Sequence, residues 1–172
     1  KRYATDDKVT AKYQFSLWLY DDKLYNHIRD MARGGRIRAL KGDLRGPTTV
    51  QGIADAARKM KIVLRLIYFS NAEEYFTYGE QFRKNWTAIP VDEKSLIVRT
   101  ISVEKHKFPW APDSHLSTDR GFHYNIQPAV NYQSWLNSPR KNLRSRDILA
   151  TGQVDRENGF TLIPADSKPP EA

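Results

Sequence analysis

The sequence predicts an α/β domain with a mainly parallel sheet flanked by helices. Three observations predict it. Strand-like and helix-like patterns alternate from Arg36 to Ser102, the order expected of right-handed crossovers and parallel pairing. Ile62 to Phe69 is apolar almost throughout, apart from Arg65, as suits a strand covered on both faces. Two apolar segments run into polar clusters, Gly42-Asp43 and Ser70-Asn71-Ala72-Glu73-Glu74-Tyr75, and open α/β sheets bind ligands just beyond the carboxyl ends of their strands.

Taken in order, residues 1–12 are polar and expected to be a flexible segment,. Tyr13 to Leu19 alternates like a strand,. Asp21 or Asp22 caps a helix through Ala32, with Leu24, Ile28 and Met31 as its inward stripe and Gly34-Gly35 as its stop,. Arg36 to Lys41 reads as a short strand closed by Gly42-Asp43-Leu44. Pro47 and Thr48 open a helix to about Met60, with Val50, Ile53, Ala54 and Ala57 inward,.

After the Ile62–Phe69 strand, a helix is expected from Ala72 to Ala88, with Tyr75, Phe82 and Trp86 at helical spacing and Pro90 beyond its end,. Ser95 to Ser102 is the next strand. Glu104 to Arg120, with Pro109, Pro112, His106 and His115, reads as a long loop. Phe122 to Gln127 is a strand feeding Pro128, Ala129 to Leu136 a short helix, and Arg144 to Ala150 another. One α/β domain over residues 13–163 is expected, with a flexible tail over residues 164–172,.

The 172 residues carry 40% apolar and 12% aromatic side chains, enough for a core and against disorder. No apolar run approaches the roughly 20 residues of a membrane span. The chain opens Lys1-Arg2-Tyr3-Ala4, without an initiator Met or a signal-peptide pattern,, and is expected to be a piece of a longer protein. The compartment stays open between the cytoplasm and secretion within a larger protein. With no cysteine, disulfides, thiolate metal sites and a cysteine nucleophile are excluded. The net charge of +8 favours acidic partners, nucleic acid among them, or simple solubility.

Gly42-Asp43 is either a turn or a carboxylate offered to a ligand. In the second cluster, Ser70 or Asn71 caps a helix whose first turn holds Glu73 and Glu74. The functional alternative has Asn71 orienting a substrate and a glutamate acting as base. Arg99, inside an apolar strand, pairs with an acid or holds an anion. His123 and Asn125 share one side of a strand, with Tyr124 on the other, and His123 is the best general base among four histidines,. His106, His115 and Asp113 lack a recognised ligand spacing, so no metal is expected. The segment Arg140 to Arg146 contacts phosphates or is a solvated helix entrance. No P-loop, G-x-G-x-x-G or G-x-S-x-G pattern occurs,.

The blocks RIRALKGDL (Arg36–Leu44), IYFSNAEEYF, the helix with Phe82 and Asn85, IPVDEKSLIVRT and FHYNIQP with Trp135-Leu136 occur in order. Together they resemble the C-terminal half of an uncharacterised bacterial family with a class I, S-adenosylmethionine-dependent methyltransferase-like (Rossmann-like) fold. The resemblance covers about residues 20–136, and Ile89 stands where the pattern has Leu. It implies S-adenosylmethionine as cofactor, with Gly42, Asp43 and Ser70 at the cofactor and Asp43 near the adenine. Asn71, Glu73 and His123 would be catalytic, and Glu74, Tyr75, Arg99, Tyr124, Asn125 and Gln127 would face substrate. The glycine-rich first loop of such folds has no counterpart before residue 36. The sheet is therefore expected to be incomplete at its N-terminus: either an N-terminal domain or a partner chain completes it, or the fold has lost catalysis. The competing expectation is a basic effector, toxin or binding module of a larger secreted protein.

Overall fold

A computed structural model describes residues 18–19, 21–102, 122–155 and 160–169. The chain divides into two units, residues 1–41 and 42–172. In the first, helix α1 (Asp22–Arg33) is capped by Asp21, whose carboxylate accepts from the Leu24 N–H at 2.9 Å. It ends at Gly34, and Gly35 takes the left-handed φ of 66° that favours glycine. No residue of α1 is buried, so the stripe Leu24, Ile28 and Met31 is not a core face within this unit.

The second unit contains α2 (Thr49–Lys59), β1 (Leu66–Tyr68), a 3-10 turn (Ala72–Tyr75), α3 (Glu80–Thr87) and β2 (Leu96–Ser102). After these come β3 (Phe122–Pro128), α4 (Ala129–Leu136), α5 (Ser145–Leu149), β4 (Gln153–Asp155) and β5 (Phe160–Leu162). The sheet order is β1-β2-β3-β5-β4. β1 runs parallel to β2, with Leu66 opposite Leu96. β2 and β3 are antiparallel over seven pairs, from Leu96–Pro128 to Ser102–Phe122. β3 and β5 are parallel, and β4 and β5 antiparallel.

The sheet is therefore mixed, which corrects the expectation of a mainly parallel one. Arg36 to Lys41 forms no strand. All of its residues are exposed, and its alternating Arg, Ile, Arg pattern offers no surface to bury on two sides. The strand–helix alternation behind the parallel reading also stops at Ser102. The sequence beyond it carries no helical pattern before Phe122, and antiparallel neighbours need no crossover helix.

The expected Ala72–Ala88 helix breaks into the 3-10 turn and α3. Phe76 to Gly79 between them is irregular, the Tyr78 N–H bonds the Leu143 carbonyl at 2.8 Å, and Gly79 is a weak helix former. One face of the sheet carries Ile97 and Ile101 into a core with Phe69, Tyr78, Phe82, Trp86, Tyr132 and Trp135. Phe69 meets Trp86 edge-on at 4.5 Å, and Tyr78 stacks on Phe82 at 4.7 Å, both favourable ring geometries. Val50, Ala54 and Ala57 of α2 are buried as expected, whereas Ile53 is exposed. Residues 164–169 lie along α4: the Asn131 amide donates to the Ala165 and Ser167 carbonyls, both at 2.9 Å. No helix among the described residues is long and apolar enough to cross a membrane.

Candidate functional site

Just beyond the carboxyl end of β1 the backbone turns sharply. Ser70 takes a left-handed φ of 52°, and its carbonyl accepts from the Thr100 N–H at 2.8 Å. That turn starts the 3-10 segment, which forms one wall of a cavity of 530 Å³ lined by Gly42, Asp43, Leu44, Arg45, Ala72, Tyr75 and Phe76. The volume lies within the range usual for small-molecule sites, about 300–1,000 Å³.

The other wall is the 42–46 loop, and two contacts hold it. Asn85, buried on α3, donates to the Leu44 and Gly46 carbonyls at 3.0 and 2.7 Å. Thr49 sits so close to Gly42 that a Cβ there would meet its Oγ1 at 2.2 Å, so only glycine fits. Within the loop, Asp43 Oδ1 accepts from the Arg45 N–H at 2.9 Å. This bond, reinforced by the Arg45 charge, holds the carboxyl below the usual aspartate range, so Asp43 is ionised at neutral pH. The Arg45 guanidinium lies 5.4 Å from the Phe76 ring centre. Tyr75 is exposed, and its hydroxyl accepts from the Asn71 amide at 3.1 Å. Asp43, Arg45, Tyr75 and Phe76 thus meet at one opening, with Asn71 and Ser70 in the turn behind it.

The remaining expected residues lie elsewhere. Glu73 is buried under the helices. Its Oε1 accepts from the Tyr78 hydroxyl and from Tyr132 at 2.8 Å, and its Oε2 from Arg99 Nε at 2.6 Å. Arg99 also donates to Gln127 at 2.9 Å, Gln127 to Asn131 at 2.7 Å, and the Tyr132 ring lies 5.1 Å from the guanidinium carbon. Burial and then the Glu73 charge push the Tyr78 and Tyr132 hydroxyls well above the tyrosine range. Burial opposes the Arg99 charge, yet Glu73 and the tyrosines hold it above the usual arginine value. This chain of bonds ties β2, β3, α4 and the 3-10 turn together, and it engages both oxygens of the Glu73 carboxylate. Glu74 accepts from the Ser102 N–H.

His123 is buried, with Nε2 2.8 Å from Thr161 Oγ1, and its backbone carbonyl accepts from Asn125. Asn125 and Gln127 are buried on the same face of the sheet, while Tyr124 points to the other. Burial lowers the His123 pKa below 6.5. Between the lowered folded-state pKa and the ordinary 6.5 the unfolded chain binds more protons than the folded one, so stability falls as pH drops below about 6.5,. Urea midpoints measured across that window should show the fall, and His123→Gln should remove this component of it.

Arg45 and Phe76 complete the cavity and were not anticipated. The spacing Asp-x-Arg after a glycine was the available signal for Arg45. In the arginine-rich segment, Arg140 bonds Asp147 at 3.1 Å and Arg144 bonds Thr77 at 3.1 Å. No group of three or more His, Asp or Glu side chains among the described residues could hold a metal ion. His106, Asp113 and His115 lie outside the described residues.

Comparison with curated proteins returns no match. A match to the family described as "Domain of unknown function (DUF7790)" covers residues 1–164. With nearly its whole length matched, the chain belongs to that family.

Proposed function

We propose that this chain is a methyltransferase-like domain that binds S-adenosylmethionine or a closely related adenosyl ligand in the Asp43–Phe76 cavity and is degenerate in catalysis. One observation carries the reading. An ionised carboxylate, a guanidinium and two aromatic rings line a single opening directly beyond a strand terminus. The chemistry of this donor set fits the ligand. Asp43 accepts from ribose hydroxyls or the adenine amine and Tyr75 offers a flat face to the base, while Arg45, 3.4 Å from Asp43 and stacked over the Phe76 ring, holds the carboxylate in place,. The order of sequence blocks similar to class I methyltransferases supports the same assignment.

S-adenosylmethionine supplies, when bound, a methyl group on a sulfonium sulfur. This chain's contribution is to hold and orient the ligand, a proximity effect. Proton handling has no accessible group behind it in the expected places: Glu73 is buried with both oxygens bonded by Arg99, Tyr78 and Tyr132, and His123 is buried against Thr161. That pairing of an open ligand end with a closed acid–base end supports the degenerate reading.

Titration calorimetry with S-adenosylmethionine and S-adenosylhomocysteine tests it. Binding is expected for the wild type, and Asp43→Ala should weaken it by at least ~10-fold, about 1.4 kcal/mol. The unfolding midpoint should move little, because Asp43 is exposed. No heat with either ligand, or equal binding by the variant, would contradict the proposal.

A further inference from the structure

The basic segment Arg140–Arg146 alternates between buried anchors and open cations. Leu143 is 0% and Ser145 5% exposed, while Lys141, Asn142, Arg144 and Arg146 face solvent. The anchors tie the segment to the elements that wall the Asp43–Phe76 cavity. The Leu143 carbonyl accepts from the Tyr78 N–H at 2.8 Å, and the Ser145 hydroxyl donates to the Glu73 carbonyl at 3.2 Å. Glu73 belongs to the 3-10 turn on one side of that cavity. Arg144 Nε donates to Thr77 Oγ1 at 3.1 Å, one residue beyond Phe76, which lines the cavity.

The cations keep most of their charge available. Among the described residues, Arg140 is the one cation of the segment with an ion pair, to Asp147 at 3.1 Å. The other Asp147 oxygen accepts from the Arg144 backbone N–H at 2.8 Å. Lys141, Arg144 and Arg146 therefore present their charges from one fixed stretch of chain. A loose run of charge must order its backbone when it binds; here those contacts have ordered it beforehand, which lowers the cost of binding. Leu143, the aliphatic side chain of the segment, is buried, so the ridge offers nothing to insert into a bilayer.

We propose that Lys141, Arg144 and Arg146 form a ridge that holds the phosphate backbone of a nucleic-acid strand beside the Asp43–Phe76 cavity. Guanidinium groups match phosphate oxygens in bidentate fashion, and lysine meets them as a point charge. The partner is nucleic acid because its charge repeats along the strand, about one per 1.7 Å of duplex axis, so neighbouring phosphates meet successive cations. The chain's surplus of eight positive charges draws such a polyanion in,. No residue of the ridge lines the cavity, so this inference stands apart from the adenosyl reading.

Fluorescence anisotropy of labelled single-stranded RNA, single-stranded DNA and duplex DNA, each titrated without adenosyl ligand, tests it. At least one should bind, with log affinity falling against log salt at a slope of about −2 to −3, as befits about three phosphate contacts. Lys141→Gln and, separately, Arg144→Gln should each weaken binding ~3-fold or more and reduce the slope by about one. Replacing Lys141, Arg144 and Arg146 together by glutamine should weaken it at least ~20-fold, whereas Lys94→Gln, the same charge removed from another loop, should stay within ~2-fold. Circular dichroism reports whether each variant folds. Lys141→Gln, at an exposed side chain, keeps the test sound if the triple variant does not. No binding to any of the three strands overturns the proposal. So does a folded triple variant that binds like wild type, or a loss in Lys94→Gln equal to that in Lys141→Gln. Polyglutamate or phosphatidylserine vesicles bound as tightly as nucleic acid would also overturn it, by naming another partner.

Discussion

Glu73→Ala is expected to destabilise the fold by about 3–5 kcal/mol, the cost of stranding one partner of a fully buried ion pair. Both side chains of the Glu73–Arg99 pair are 0% exposed. Removing the carboxylate leaves the Arg99 charge without its counter-ion and the Tyr78 and Tyr132 hydroxyls without their acceptor. Each stranded donor adds a desolvation penalty. Glu73→Gln should cost less, because an amide oxygen still accepts from one or two of these groups while the charge balance is lost. The double change Glu73→Leu with Arg99→Met should recover much of the loss, since replacing both members of a buried pair is often near neutral. Chemical denaturation of the four proteins checks this ordering. A single variant within ~1 kcal/mol of wild type would remove Glu73 from the structural role assigned to it. The same series bears on function: if Glu73 is structural, folded Glu73→Gln should bind the adenosyl ligand like wild type.

The second large effect is expected at Trp135. Its side chain is fully buried at the centre of the core, and Trp135→Ala should cost about 3–5 kcal/mol through lost burial and the cavity left behind. The indole N–H also donates to Ser167 Oγ at 3.1 Å, so the change cuts one tie to residues 164–169. Asn131 holds the same segment by two carbonyls. Hydrogen exchange on Trp135→Phe, which keeps most of the ring volume and removes the N–H, should accelerate at residues 165–168 with a much smaller loss of stability. Unchanged exchange there would place the anchoring entirely on Asn131.

Local patterning carried a good part of this fold in the sequence. The α2 stripe of Val50, Ala54 and Ala57, the Ala129–Leu136 helix, the stop at Gly34-Gly35 and the β2 and β3 segments all follow from short-range periodicity and capping, which depend on neighbours in the chain. What the sequence concealed depends on pairing between distant segments. Arg36–Lys41 resembles a strand locally, but a strand exists only where a ladder partner meets it. Whether β3 returns antiparallel to β2 is likewise set by tertiary geometry rather than by either segment alone. The β4–β5 pair was missed even though Asn158-Gly159 between two alternating triplets is a hairpin signal,; the tripeptide strands are too short for periodicity to register.

The site was legible in the same uneven way. Gly42-Asp43 and the Asn71–Tyr75 turn do approach one another at the cavity, though a pinned loop rather than a neighbouring parallel strand delivers Asp43. Asn85 and the Thr49 contact with Gly42 do the positioning, and neither is readable from spacing. Glu73, Arg99 and Gln127 were visible as polar residues among apolar ones. Their signature is equally that of a reactive cluster and of a buried network, and burial decides between the two.

Backbone amide shifts recorded by NMR during titration with S-adenosylhomocysteine decide whether the Asp43–Phe76 cavity holds an adenosyl ligand. Saturable changes are expected at Asp43 to Arg45 and at Ala72 to Phe76, abolished by Asp43→Ala. No saturable change, or changes centred on another surface with those two segments silent, would contradict adenosyl binding there.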